Sequence, residues 1–217
     1  MTEQLDGLRI AVIGTGKVGG TLGARWARKG HRVAFGSRDP HGDKVRQLLE
    51  QAGENATATT AGEAAQNNDV LILATPWNSA QQVLSLCGDL TGKVLIDCSN
   101  PIRSDFKGLD LGFTESAAER IAAWSPGARV VKAFNTASAK TMQNPVFGDQ
   151  RATMFYCGDD STAKAIVHRL ADELDFDPVD AGPLEMARHL EPLAWLYIYL
   201  AVNQGMGANC AFKILQR

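Results

Sequence analysis

The stretch "LRIAVIGTGKVGGTLGARWARKGHRVAFGSRDP", residues 8–40, restricts the possible folds more than any other part of the chain. An apolar run from Leu8 to Ile13 leads into Gly14, Gly16 and Gly19, spaced as GxGxxG. A helical stretch follows from Lys17 to Lys29, then a β-rich run from Arg32 to Phe35. Strand, glycine turn, helix and strand in that order form a βαβ unit, the context in which these glycines mark a dinucleotide site. The first permits a tight turn, the second lets backbone approach a pyrophosphate, and the third lets helix and strand pack closely. The helix then directs its first N–H groups and positive dipole end at the diphosphate. Gly14, Thr15, Gly16, Lys17, Val18 and Gly19 are the expected contacts. Among 21 glycines the spacing alone would arise by chance, so the flanking elements give it meaning.

The residues after the second run choose between the two nicotinamide cofactors. A NAD site places an Asp or Glu about 20 residues past the glycines, where it accepts from the ribose 2′-hydroxyl. Here Gly36-Ser37-Arg38 stand instead. A hydroxyl and a guanidinium suit a phosphate, so Ser37 and Arg38 are expected to hold the 2′-phosphate of NADP(H). The alternative is that Arg38 is a solvated loop arginine beside Asp39. Lys44 and His41 lie just beyond and would add positive charge, or are plain surface.

The remaining chain continues the alternation of strand and helix. "ATATT" is β-prone, residues 61–67 are helical, and "DVLILAT" is a strand ending at Ala74, Thr75, Pro76 and Trp77. "SAQQVLSLCGDL" is helical, "KVLIDCSNP" a strand, "TESAAERIAAWS" helical and "ARVVKAF" a strand. This predicts a Rossmann-like, doubly wound parallel α/β sheet over residues 1–150. Residues 151–217 are expected to form a small C-terminal α/β extension on the same compact unit: a strand "ATMFYCGDD", a helix from Ser161, a short strand near "DPVDAGP", and a long helix from Leu184 to Asn203 that Pro192 kinks. The extension would cover the cleft at the carboxyl ends of the strands, where ligands bind in such sheets.

Three segments just past predicted strands should line that crevice: Ala74 to Trp77, Ser99-Asn100-Pro101, and Ala133 to Thr136. Pro76 would stiffen its loop, and Trp77 would either wall off the nicotinamide or pack in the core. Asn135 and Thr136 would bond the nicotinamide carboxamide or the substrate, or cap the following helix.

Composition excludes several function classes. A net charge of −2 with no basic block recommends neither nucleic acid nor an anionic membrane surface. The longest apolar stretch, Leu193 to Val202, is too short to span a bilayer. The polar opening "MTEQLDGLR" does not read as a signal peptide, which points to a cytoplasmic protein. Cys87, Cys98, Cys157 and Cys210 are widely spaced, so reduced, mostly buried thiols are expected rather than disulfides or a metal site.

Catalytic side chains are scarce. A short-chain dehydrogenase pair needs Lys four residues after Tyr, whereas Tyr156, Tyr197 and Tyr199 are followed at that spacing by Asp160, Ala201 and Asn203. His189, Asn135 and Lys140 are weak candidates only. Hydride transfer between two conjugated rings needs no protein acid or base, because the rings supply the chemistry and the protein the orientation.

Beyond the glycine turn "GTGKVG", the chain carries "GSR" at 36–38, "TPW" at 75–77, "CGDD" at 157–160, "DAGPL" at 180–184, "ARHLEPLA", and "NQGMG" at 203–207. In these it resembles the NADPH-dependent oxidoreductases of the deazaflavin coenzyme F-420, whose Rossmann domain is shared with the cytosolic domain of the STEAP metalloreductases. The resemblance covers nearly the whole chain. It implies a small cytosolic homodimer that binds NADP across Gly14 to Gly19, Ser37 and Arg38. The nicotinamide would lie near Thr75, Pro76 and Trp77, and a ring-shaped hydride partner would stack near Asn135, Asn100, Pro101 and the turn Gly205-Met206-Gly207. The archaeal deazaflavin enzymes carry a His-Thr pair where this chain has Asn135-Thr136. Its AFNT form is closer to bacterial relatives and to the STEAP domain, where the acceptor is a flavin, so FMN or FAD stands beside coenzyme F-420 as partner. Two other readings remain: reduction of a small carbonyl or imine, with His189 or Tyr199 as proton donor, and a non-catalytic NADPH sensor.

Overall fold

The computed structural model describes residues 7–217; the opening Met1–Asp6, on which part of the signal-peptide expectation falls, lies outside the described residues. The first βαβ unit forms as read. β1 (Arg9–Ile13) runs into α1 (Lys17–Arg28), and β2 (Arg32–Gly36) pairs parallel to β1. α2 (Asp43–Ala52), β3 (Ala56–Thr59), α3 (Ala61–Gln66) and β4 (Val70–Leu73) follow. A capping box starts α3: the Thr60 hydroxyl accepts the Glu63 N–H, and the Glu63 carboxylate accepts the Thr60 N–H. The second half contains α4 (Trp77–Leu86), β5 (Val94–Asp97), α5 (Ala117–Trp124) and β6 (Arg129–Ala133).

These six strands lie in the order β3-β2-β1-β4-β5-β6, all parallel, so the order reverses between β1 and β4. That is the Rossmann arrangement, with its ligand crevice at the carboxyl ends of β1 and β4. The sheet then continues. After α6 (Ala139–Gln143) and a small hairpin, β7 (Val146–Phe147) and β8 (Gln150–Arg151), strand β9 (Thr153–Gly158) adds beside β6, and β10 (Asp177–Asp180) beside β9. β9 is antiparallel to β6, so the eight-stranded sheet is mixed rather than purely parallel. α7 (Ser161–Asp172) connects β9 to β10. The predicted C-terminal helix is divided: a 3₁₀ turn, Leu184–Met186, precedes α8 (Ala187–Val202).

Apolar residues alternate across the strands and separate the core into two layers. Ile10, Val12, Phe35, Ile72, Ile96 and Val131 meet α1, α2 and α7 on one face, while Ala11, Ile13, Leu71, Leu73 and Leu95 meet α3, α4 and α5 on the other. Trp26 of α1 is fully buried and donates its indole N–H to the Leu170 carbonyl. His31 ties the lower rim together: its Nδ1 accepts the Leu8 N–H at 2.9 Å, so its Nε2–H faces the Glu173 carboxylate at 2.6 Å. All four cysteines are free, with Cys87, Cys98 and Cys157 buried. Among the described residues no helix is long and apolar enough to cross a membrane.

α8 crosses the site, and its proline leaves a trace. Pro192 has no N–H for the Arg188 carbonyl, and that carbonyl accepts the Phe113 N–H at 3.3 Å instead. The freed group therefore anchors the loop between β5 and α5.

Candidate functional site: the crevice at the strand ends

The glycine turn is shaped for a bound phosphate. Gly14 has φ +112°, and a Cβ there would stand 2.6 Å from the Ala74 carbonyl oxygen. A Cβ on Gly19 would meet the Gly14 oxygen at 2.0 Å, which no side chain tolerates. At Gly16 a Cβ would meet nothing within 4 Å: the backbone there faces open space. Gly16 is also the N-cap of α1 and no side chain caps the helix, so the N–H groups of Lys17, Val18 and Gly19 remain available to an anion. Thr15 is half-buried beside them and Lys17 is exposed.

At the end of β2, the Ser37 hydroxyl accepts the Asp39 N–H at 3.2 Å. Arg38 is exposed and makes no ion pair with Asp39; no salt bridge of it occurs among the described residues. Lys44, at the start of α2, and His41 are exposed nearby in sequence. Among the described residues Arg38 is thus a free cation just past β2, in a segment that also exposes Asp39 and Asp43.

On the β4 side the strand ends hold buried groups without partners. Six buried side-chain polar atoms among the described residues lack a hydrogen bond, and four belong to three successive strand ends: Thr75 Oγ1, Ser99 Oγ, Asn135 Oδ1 and Thr136 Oγ1. An unpaired buried polar atom costs roughly 1–3 kcal/mol. Four of them gathered at one edge fit a polar ligand that would satisfy them. Asn135 owes its orientation to two acceptors. Its Nδ2 donates to the Leu190 carbonyl at 3.0 Å and to Asn100 Oδ1 at 3.2 Å, while Asn100 Nδ2 donates to the Asn135 carbonyl at 3.0 Å. Both amide hydrogens are spent, leaving Oδ1 as an acceptor.

The backbone throws this asparagine inward. Phe134 adopts φ +62°, a left-handed conformation that bulky residues avoid. It is held there by packing, with its ring edge-on to Trp26 at 5.5 Å and to Phe176 at 6.4 Å. The helix-capping alternative for Asn135 and Thr136 does not occur. Ser138 is the N-cap of α6 and accepts the Thr141 N–H, because the turn at Phe134 delays the helix.

Beneath these ends lies an ionic cluster that sequence reasoning did not single out. Asp97 of β5, Lys132 of β6 and Glu191 of α8 are all fully buried. Lys132 Nζ reaches Asp97 Oδ2 at 2.7 Å, Glu191 Oε1 at 2.8 Å and the Ser99 carbonyl at 2.6 Å. Glu191 also accepts the Ala117 N–H at 2.9 Å and the Ala118 N–H at 3.2 Å, at the start of α5. Burial alone would lower the Lys132 pKa, but Asp97 and Glu191 together hold it above the ordinary lysine range. Burial pushes the Glu191 carboxyl up, against the pull of Lys132. The signal was visible: an acid and a lysine within apolar central strands, "VLID" and "RVVKA", must find partners.

Other expected residues divide between the strand ends and the exterior. Trp77 is half-buried and stacks its ring on Trp124 of α5, centroids 5.3 Å apart. Ala74 and Thr75 are half-buried, Pro76 is exposed as the N-cap of α4, and Pro101 is buried beside Asn100. His189 is exposed on the first turn of α8, a quarter-turn or more away from Leu190 and Glu191, which face the crevice strands; it does not join the site. Lys140 is also exposed. Gly205, Met206 and Gly207 form the exposed turn that ends α8, and the next carbonyl, Ala208, accepts from Ser138 at 2.6 Å. The turn therefore sits beside the segment that follows Thr136.

Comparison with known proteins agrees with this geometry. Residues 9–101 match the family described as "NADP oxidoreductase coenzyme F420-dependent". The F420-dependent NADP reductase of Methanothermobacter marburgensis is 33% identical over 210 residues, covering 90% of this chain and 93% of that one. The chain belongs to the F420-dependent NADP oxidoreductase family. Its members' cofactor, NADP(H), fits the glycine cradle and the Ser37-Arg38 edge. The metalloreductase STEAP3 of Rattus norvegicus is 32% identical over 186 residues, 85% of this chain but 36% of that protein, so the chain spans about a third of its length. A crystal structure of a protein from Arthrobacter sp. FB24 superposes with a TM-score of 0.87 at 33% identity, covering 97% of this chain and all of that one. The protein is an NADP-dependent oxidoreductase of this family.

Proposed function

We propose that the protein transfers hydride between NADP(H) and a ring-shaped partner of the deazaflavin or flavin class, with coenzyme F-420 the first candidate and FMN or FAD the second. The observation that carries this reading is the chemistry of the crevice. Its unsatisfied groups are three hydroxyls and an amide, which orient a ligand but do not titrate. The titratable groups beneath them are locked in ion pairs. A site of this kind suits a reaction in which both rings carry their own chemistry. Bound nicotinamide would supply the hydride; the protein's own part is to hold the dinucleotide at Gly14 to Gly19, Ser37 and Arg38 and to orient its far end at Thr75, Ser99, Asn135 and Thr136. Asn100 and Pro101, with the turn at Gly205 to Gly207, would flank the partner ring.

The small-carbonyl reading calls for a proton donor at the nicotinamide, yet His189 and Tyr199 are both exposed on α8. We also infer a homodimer, because the second half of α8 and the following turn present Leu196, Tyr199, Val202 and Met206 to the exterior. A cytoplasmic setting is inferred from the four free thiols.

Anaerobic stopped-flow absorbance tests the reading. The protein and NADPH are mixed in turn with the deazaflavin coenzyme and with FMN or FAD. Loss of the nicotinamide band with bleaching of one acceptor is the expected result and names the partner. Binding of NADPH without reduction of any acceptor would sink the proposal and favour the sensor reading.

A further inference from the structure

The crevice floor carries a charge that no step of orientation requires. Asp97, Lys132 and Glu191 are the only Asp, Glu, Lys or Arg side chains in the buried set of the described residues. Every contact of the two carboxylates is with a donor. Asp97 accepts from the Ser99 N–H at 2.8 Å and from Lys132; Glu191 accepts from Lys132 and from the N–H groups of Ala117 and Ala118. Donors bond the oxygens of each acid, the arrangement that favours a carboxylate. Two anions and one ammonium leave a net charge of −1, offset in part by the positive end of α5, worth about half a unit.

This charge lies directly behind the strand ends. Lys132 bonds the carbonyl of Ser99, whose hydroxyl is one of the unpaired buried groups there, and Glu191 adjoins Leu190, whose carbonyl fixes Asn135. The dinucleotide's direction follows from the reading of Ser37 and Arg38 as the 2′-phosphate site. With the 2′-phosphate at Ser37 and Arg38 beyond β2 and the pyrophosphate at the β1 turn, the nicotinamide half extends over β4, β5 and β6. The oxidised nicotinamide ring bears a positive charge and the reduced ring none.

We propose that the buried Asp97–Lys132–Glu191 cluster, through its net negative charge beneath the nicotinamide half of the crevice, tightens binding of NADP⁺ relative to NADPH and so biases the bound cofactor toward giving up hydride. The inference rests on the NADP reading but is independent of the acceptor's identity. Each acid can be neutralised without changing its shape, and the consequence is specific to the charged form of the cofactor. Unit charges about 10 Å apart at the effective dielectric of a protein alter an equilibrium constant by about tenfold.

The test is the dissociation constant of each cofactor form, measured by calorimetry or nicotinamide fluorescence, for the wild type, Glu191→Gln and Asp97→Asn. Both variants should raise the ratio Kd(NADP⁺)/Kd(NADPH) by about tenfold, less where the helix end has already offset part of the charge. A purely structural role would weaken the two forms alike and leave the ratio where it was. Circular dichroism and melting temperature identify the variants that fold, and either acid alone suffices. An unchanged ratio in a folded variant overturns the proposal. So does a shift toward NADP⁺. If the wild type binds neither form, the cofactor assignment itself falls, a result distinct from an unchanged ratio.

Discussion

Arg38 stands exposed at the end of β2, and no side chain of the described residues pairs with it. If it reads the 2′-phosphate, Arg38→Ala should weaken NADPH binding by about 1.5–3 kcal/mol, the scale of a charge-assisted hydrogen bond, while NADH binding barely changes. Titration calorimetry with both cofactors checks this, and equal losses would remove Arg38 from the phosphate site. Gly19 is a harsher case. A methyl group there would have to occupy the space of the Gly14 carbonyl oxygen, so Gly19→Ala should abolish cofactor binding and lower the melting temperature as well. These residues were legible in the sequence because their roles are local: a turn, a helix start and a strand end lie within 25 residues of one another. Asp97, Lys132 and Glu191 were not singled out, because the cluster exists only when β5, β6 and α8 meet. The orientation of Asn135 was hidden for the same reason, since Leu190 is 55 residues away.

At the scale of elements, α7 and α8 make separate predictions. The Glu173 carboxyl just past α7 would be raised by burial, but hydrogen bonds from His31 and Arg169, with the charge of Arg169, hold it below the ordinary glutamate range. A depressed folded pKa means that its stabilisation is fully present above about pH 4.5 and is lost as pH falls through the folded value. Glu173→Gln should therefore lower the melting temperature at pH 7 and flatten its decline between about pH 5 and pH 3. A parallel drop at every pH would argue against the linkage. α8 is apolar nearly all round, yet Val202 is 73% exposed and Leu196 47%. If a second copy covers this face, Leu196→Glu with Val202→Glu should convert a dimer to a monomer in light scattering; a wild type that is monomeric at micromolar concentration would refute it. The strands and most helices were readable from their periodicity. α2 and α6 are less legible: α2 is mostly polar, with only Val45, Leu48 and Ala52 buried, and α6 is barely more than a turn.

For the whole molecule, the alternation of strand and helix foretold the Rossmann half but not the direction of β9. Pairing direction depends on where the chain turns in space, and the hairpin β7–β8 returns it antiparallel to β6. Because β9 and β10 extend the same sheet, and Arg25 of α1 donates to the Leu174 carbonyl and the Asp175 carboxylate, we propose that residues 1–150 and 151–217 unfold together. Calorimetry should then give one transition whose calorimetric and van't Hoff enthalpies agree; two resolved transitions would separate the parts. Pro192 joins these scales. A proline within a helix is ordinarily counted as a loss, one bond fewer along the axis. Here the loss makes the helix a mooring for a neighbour, because the Arg188 oxygen is free to take the Phe113 N–H. Restore the missing donor with Pro192→Ala and the oxygen has a nearer suitor four residues along its own chain. The helix gains, the loop that ends in Phe113 is cast off, and limited proteolysis between residues 103 and 113 should quicken in a protein whose overall stability has not fallen.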